Sequence, residues 1–276
     1  MKNIMVKKYK LTISVLFVLL IIVFSACSSN SLDTHVDNAP QEYQEEPKIE
    51  ITSISILSAL DPIIFGKFPQ TFDEEAVLTI TKNDKGYYLG SDLEYYSVVD
   101  GKSYRLEDVV WDAYALQSGD ILLVSRNILY SARFDDFHDY FEKDARIFMD
   151  DAFMFTTEEL LRIKVTNVKY EYRLNSSVSF RSKSFFLNLD QLKSIFPNTA
   201  SIIKTPTDYA ERNLETSDTG SASWWIAPEK GKHHYISAKG SISNKNNTYI
   251  DTSSDLKIKY SYRGIVPAMI ISKESA

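Results

Sequence analysis

The sequence predicts an α+β domain, mainly antiparallel, with a helical segment between two groups of strands. Three observations carry this. Branched, partly alternating apolar segments open and close the region from Ile51 to Ala276. Helical periodicity occurs only in the middle of that region. Single βαβ units do not recur, which argues against a doubly wound sheet.

The elements follow in order. "IEITSISILSAL" has the content of a strand. "AVLTITKNDKGYYLG" reads as two strands around a turn at Asn83–Gly86, where the residue types tolerate a left-handed backbone. "VVWDAYALQSGDILLVSRNILY" is a second hairpin turned by Ser118–Asp120, and its "ILLV" is a buried central strand. Apolar residues then fall at 137, 141, 145, 148, 152 and 155, a stripe that predicts a long helix facing the core. Thr156 with Glu159 is spaced as a capping box for a short helix from Thr157. "SKSFFLNLDQLKSIFP" holds a short strand and then a helix opened by Asn188 with Gln191. "TPTDYAERN" places Thr205 as a cap, Pro206 at the first helical position and Asp208 near the positive end. "HHYISAKGSI", "TYIDTS" and "IKYSYRGIVPAMIIS" close the chain as strands, the last expected to return beside the early ones.

The N-terminus carries a targeting pattern. Lys2, Lys7, Lys8 and Lys10 precede an apolar run from Leu11 to Phe24, followed by Ser25, Ala26 and the only cysteine, Cys27. The run is shorter than the roughly 20 residues of a spanning helix. Residues 1–26 resemble a bacterial lipoprotein signal, which implies cleavage before Cys27, a lipid with palmitate on that cysteine, and an extracytoplasmic chain held at the bacterial membrane. A lipidated Cys27 leaves no thiol for a disulfide, a nucleophile or a thiolate metal site. Residues 27–50 are polar and acidic and read as a disordered tether. Residues 51–276 are then a single globular domain, long enough for a substantial core.

Charge narrows the partners. The chain has 31 basic and 37 acidic side chains, and loss of the four N-terminal lysines leaves 27 against 37, a formal −10. Repulsion from phosphates excludes a nucleic-acid partner.

Six motifs in one order resemble an uncharacterised domain family of bacterial exported and lipid-anchored proteins. "IIFGKFPQT" (63–71) is similar to its "FGxYPQ". "VVWDAYALQSGDILLVSRNIL" (109–129), "ARIFMDDAFMFTTEEL" (145–160) and "SFFLNLDQL" (184–192) match three interior motifs. Trp224 and Trp225 open a stretch that resembles "WWLRSPG", and "YRGIVPAMII" (262–271) resembles "GVRPALWI". The resemblance implies no established activity, and it suggests a distant likeness to the C-type-lectin-like fold, which includes sulfatase-modifying enzymes. Fold likeness does not transfer function. The chain departs from the pattern at Ala227 and Val266, where the family motifs have arginine. A ligand needing those two guanidinium forks would lose its site here.

The stretch "SASWWIAPEKGKHHY" supplies the candidate ligand-binding residues: Trp224, Trp225, His234 and Tyr235. Adjacent strand residues point to opposite faces, so one indole could lie in the core while the other is exposed to stack on a sugar. The favoured reading is that both rings are structural, a packed closing element of the fold that the family resemblance supports. His233 and His234 diverge on a strand and do not chelate one ion, so no metal and no cofactor are expected. The acids from Asp135 to Asp151 read as a solvated helix face, and no catalytic residue is assigned. Phosphate-loop, dinucleotide and nucleophile-elbow fingerprints are absent. Seventeen tyrosines, many on strands, fit ordinary strand preference or an aromatic sheet face. The expected function is a non-catalytic binding or interaction module at the cell envelope, its ligand a carbohydrate or a surface protein. The alternatives are an envelope hydrolase using a carboxylate pair and a purely structural domain.

Overall fold

The structure, a computed structural model, describes residues 54–133, 153–173, 176–196, 202–229, 232–246 and 262–273. The signal segment, Cys27, the tether and the strand expected at "TYIDTS" lie outside these residues. So does the helical stripe from 137 to 152.

What is described is dominated by antiparallel β-sheet. The largest sheet is built around β5 (Lys102–Leu116). One edge of β5 pairs with β1 (Ile56–Phe72) along almost its whole length. Its other edge pairs first with β4 (Tyr95–Val99) and then with β6 (Ile121–Ser125). Beyond β4 lie β3 (Tyr88–Gly90) and β2 (Leu78–Lys82). Beyond β6 lies β16 (Ala268–Ile271), which also meets β8 (Ile163–Lys164) and β11 (Ser184–Phe185). The last strand thus returns beside an early one, as expected.

β6 shows why "ILLV" is an unbroken apolar run. Leu122 and Val124 enter one apolar cluster and Ile121 and Leu123 the other, so the strand is buried on both faces. β16 repeats this: Ala268 and Ile270 face the first cluster, Met269 and Ile271 the second.

The turns obey local chemistry. Asn83 Oδ1 accepts from the backbone N–H groups of Lys85 and Tyr87, closing the β2–β3 hairpin. The β4–β5 turn uses Asp100 and Gly101, with φ of 52° and 75°. Two consecutive left-handed residues give a turn whose twist matches the flanking strands.

β1 is much longer than the strand expected near its start. It extends through "IIFGKFPQT" because β5 offers a 15-residue partner, and four register shifts absorb the mismatch. Pro62 lies at one of these shifts, between Leu60 and Ile63, on an edge strand where a missing N–H costs little.

The second sheet has the order β14 (Ile242–Asn246), β13 (Lys232–Ile236), β12 (Trp224–Trp225), β15 (Tyr262–Ile265), β7 (Tyr130–Arg133). Its pairings are antiparallel except β12 with β15. β9 (Thr166–Arg173) and β10 (Ser176–Ser182) form a separate hairpin. Trp224, Ile226, Ile236, Ile265 and Val266 join Leu122, Val124 and Ile270 in one cluster, so this core unites residues of both large sheets.

Three short helices are present among the described residues. α1 (Thr157–Arg162) and α2 (Leu189–Ile195) open with the expected capping boxes, Thr156 with Glu159 and Asn188 with Gln191. α3 (Asp208–Glu211) starts later than expected. Its cap is Thr207, whose hydroxyl accepts from Ala210 N–H. Thr205 and Pro206 stay extended because Ile128 takes their backbone: Ile128 N–H donates to Thr205 O and Thr207 N–H to Ile128 O, both at 3.0 Å. Phe155, the last residue of the expected stripe, is not helical. The adjacent Met154 exchanges backbone bonds with Lys67, and the Phe155 ring packs on Phe65 and Phe153.

Candidate functional site

β12 is two residues long, and each tryptophan leaves it on a different face. Trp224 is 1% exposed, lies in the shared core and donates its indole N–H to Ile202 O at 3.2 Å. Trp225 is 5% exposed and donates to Ala132 O at 3.2 Å. Neither indole is therefore free, which is the packing of both rings that the sequence reading favoured. The second face of this short strand is covered too, and both N–H groups are spent on backbone carbonyls.

What covers Trp225 is an arginine. Arg263, on β15, lies 4.5 Å from the Trp225 ring centroid and 3.9 Å from that of Tyr235. Trp225 and Tyr235 meet edge to face at 6.0 Å. Register explains the trio. Trp225 pairs with Tyr235 on β13 and with Ile265 on β15, and Arg263 shares the face of Ile265 two positions away. Arg263 is 7% exposed; burial works against its charge, while the Tyr235 hydroxyl supports it. Trp225 and Tyr235 are thus brought together, with Tyr235 the half-buried member nearest solvent.

His234 points to the other face of β13 and is buried at 7% exposure. Burial pulls its imidazole below the ordinary histidine range, partly offset by the Glu229 carboxylate and by a hydrogen bond to the Glu229 backbone. Its Nδ1 has no hydrogen-bond partner among the described residues. Trp224 likewise belongs to the core and not to the aromatic–arginine trio.

Ala227 and Val266, which stand where the family motifs have arginine, are both buried in apolar surroundings. Arg263 is the functional candidate that sequence reasoning missed. Its signal was parity: an arginine two residues before the apolar Ile265 on a strand must share its face.

Two further polar clusters were also missed. Lys204 is 4% exposed, and its ammonium donates to Asp112 Oδ2 and Ser125 O, each at 3.0 Å, beside the Phe196 ring. Arg126 holds the other carboxylate oxygen through Nε and Nη2 at 3.0 and 2.9 Å. Burial lowers the pKa of Lys204 and Asp112 raises it. The residues involved are 92 and 14 positions apart from Asp112, so no local pattern announces them.

The second cluster brings two carboxylates together. Tyr96 lies within hydrogen-bond reach of Asp92 Oδ2 at 2.7 Å and Asp73 Oδ2 at 3.0 Å, and accepts from Arg105 Nε at 3.1 Å. Burial and the bond to Asp92 push the Tyr96 phenol up to about 12. The same hydrogen bond holds the Asp92 carboxyl below its usual range. That is the opposite of what a general acid needs, since a protonated carboxyl at neutral pH requires a raised pKa. No group of three or more His, Cys, Asp or Glu side chains converges on a metal position among the described residues. The tyrosines divide similarly: Tyr87, Tyr96, Tyr104 and Tyr170 are buried parts of the core.

In comparisons with known proteins, the chain matches no family model, no curated protein and no solved structure.

Proposed function

We propose that this chain is a cell-envelope lipoprotein, anchored through lipid on Cys27, whose domain is a non-catalytic binding or interaction module. Residues 27–50 hold the domain away from the membrane. The fold completes as α+β, with the 137–152 stripe as its central helix and a distant likeness to the C-type-lectin-like architecture. The ligand is an envelope carbohydrate or a surface protein.

The observation that supports a binding role is the trio of Tyr235, Arg263 and Trp225. Two rings hold a guanidinium between them, and Tyr235 keeps part of its surface accessible. A ring fixed in this way contacts a ligand at low entropic cost. A specific observation favours a second reading, a purely structural domain: both indoles are buried and both N–H groups are bonded.

One experiment separates them. The chain from Ser28 onward is tested on insoluble peptidoglycan, on a glycan array and by crosslinking on intact cells, beside Tyr235→Ala with its fold checked by circular dichroism. Capture by the parent chain, lost in a folded Tyr235→Ala variant, supports the binding module. Capture of neither chain in any of the three formats supports the structural reading, and equal capture of both places binding away from Tyr235.

A further inference from the structure

Two outer strands of the large sheet, β1 and β2, are finished differently. β1 is guarded against a further strand. Pro62 and Pro69 lack an N–H, four register shifts break its line, and Lys67 already bridges to Met154. β2 ends the sheet order, and no strand among the described residues pairs with its outer edge. Leu78 to Thr81 hold neither a proline nor a charge, and the four residues after Leu78 are exposed. Its own sheet grips it loosely. Thr79, Ile80 and Thr81 stand opposite Leu89 alone, between the pairs Leu78–Gly90 and Lys82–Tyr88. A strand edge of this kind is a template for another chain.

The side chains at this corner point the same way. Only five large apolar side chains among the described residues are two-thirds or more exposed, and three lie here: Val77 at 67%, Ile80 at 98% and Leu93 at 78%. Leu93 belongs to the turn between β3 and β4, tied to this edge by the Ser91 N–H that donates to Val77 O at 2.8 Å. Its φ is 69°, a left-handed backbone that glycine or asparagine adopts more readily than leucine. A bulky apolar residue held in a strained and solvent-exposed position points to a contact that uses it.

We propose that β2 is a self-association edge, on which β2 of a second copy adds antiparallel about Ile80. Charge selects this occupant and this direction. Glu74 and Glu75 precede the strand, whereas its other end carries Lys82 and Lys85 against the single acid Asp84. Antiparallel pairing lays the acidic end of each copy beside the basic end of the other, and sets Leu78 opposite Lys82. Parallel pairing would lay acid on acid. The strand is five residues long, so the contact falls below the about 1,000 Å² of a stable interface and the dimer is weak and concentration-dependent. The edge lies in the first sheet and Tyr235 in the second, so this inference stands or falls separately from the binding role.

The test is sedimentation velocity on the full chain in detergent, with micelles in excess, up to about 100 μM, beside Ile80→Lys. The site is so exposed that lysine there should leave the circular dichroism unchanged. The parent chain should pass reversibly from monomer to dimer. Ile80→Lys should raise the dissociation constant at least about tenfold, because it sets like charges across the two-fold axis. Lys82→Glu should also weaken the dimer, and adding Glu75→Lys should restore it. Tyr235→Ala should dimerise as the parent does. A parent chain that stays monomeric overturns the proposal, as does a dimer that Ile80→Lys leaves untouched. Binding of a synthetic 77–83 peptide by a monomeric parent chain also overturns it, since the edge would then take a foreign strand and not a second copy.

Discussion

The two large sheets are equally well buried at their centres, yet they are held together differently. The centre of the first, β6 with β16, buries mainly aliphatic side chains on both faces, joined by Met269 and by Ser125 at the end of β6. The centre of the second buries two tryptophans, an arginine, a histidine and Ser131. The first is stabilised in proportion to apolar area, which tolerates exchange between residues of similar size. The second depends on directed contacts to particular carbonyls and rings, which do not tolerate it.

The sharpest test of this contrast is Trp224→Ala against Leu123→Ala. The leucine variant should cost about 3 kcal/mol through lost burial and a cavity. The tryptophan variant should cost about 5 kcal/mol, since it also strips Ile202 O of its indole donor. Denaturant midpoints compare them directly, and equal costs would erase the distinction between the sheets.

Asp112→Ala comes next, and tests an exception inside the apolar sheet. It strands Lys204 in the interior without its acid, a loss of about 3 kcal/mol. Adding Lys204→Met should recover most of that loss. A single-variant cost below about 1 kcal/mol would show that water reaches the ammonium.

Gly264→Ala follows at about 2 kcal/mol. A Cβ there would collide with the Ile128 side chain, so β15 can lie beside Ile128 only with glycine at this position. Ile128→Ala in the same chain should relieve part of the cost, and a purely additive double variant would locate the effect elsewhere. The smallest expected effect lies outside both sheets. Thr156→Ala removes the α1 cap for about 1 kcal/mol. Thermal unfolding should read this as a fall in midpoint of a few degrees.

Legibility followed the range of the contacts. The hairpin turned at Ser118–Asp120, the Asn83–Gly86 turn and the two capping boxes were readable because partners lie within a few residues. The Asp100–Gly101 turn carried an equally plain signal that was not used, two residues that accept left-handed backbone between alternating strands. The cap of α3 misled because Thr205-Pro206 fits a helix start locally. Only the pairing with Ile128, nearly eighty positions away, shifts the start to Thr207. At the candidate site, Tyr235 and Trp225 were anticipated together and the packing of both indoles was the favoured reading, whereas Arg263 depends on β15 arriving from the far end of the chain.

By itself, then, the sequence determined the β-rich character of the domain, its nearest-neighbour turns and caps, and the double burial of "ILLV", because these depend on periodicity and on atoms a few bonds apart. Tertiary structure alone decided how far β1 extends, which oxygen receives each indole N–H, and which cation sits between Trp225 and Tyr235. Those outcomes depend on segments that meet only after the sheets close, and a linear chain carries no local trace of which distant strand will arrive.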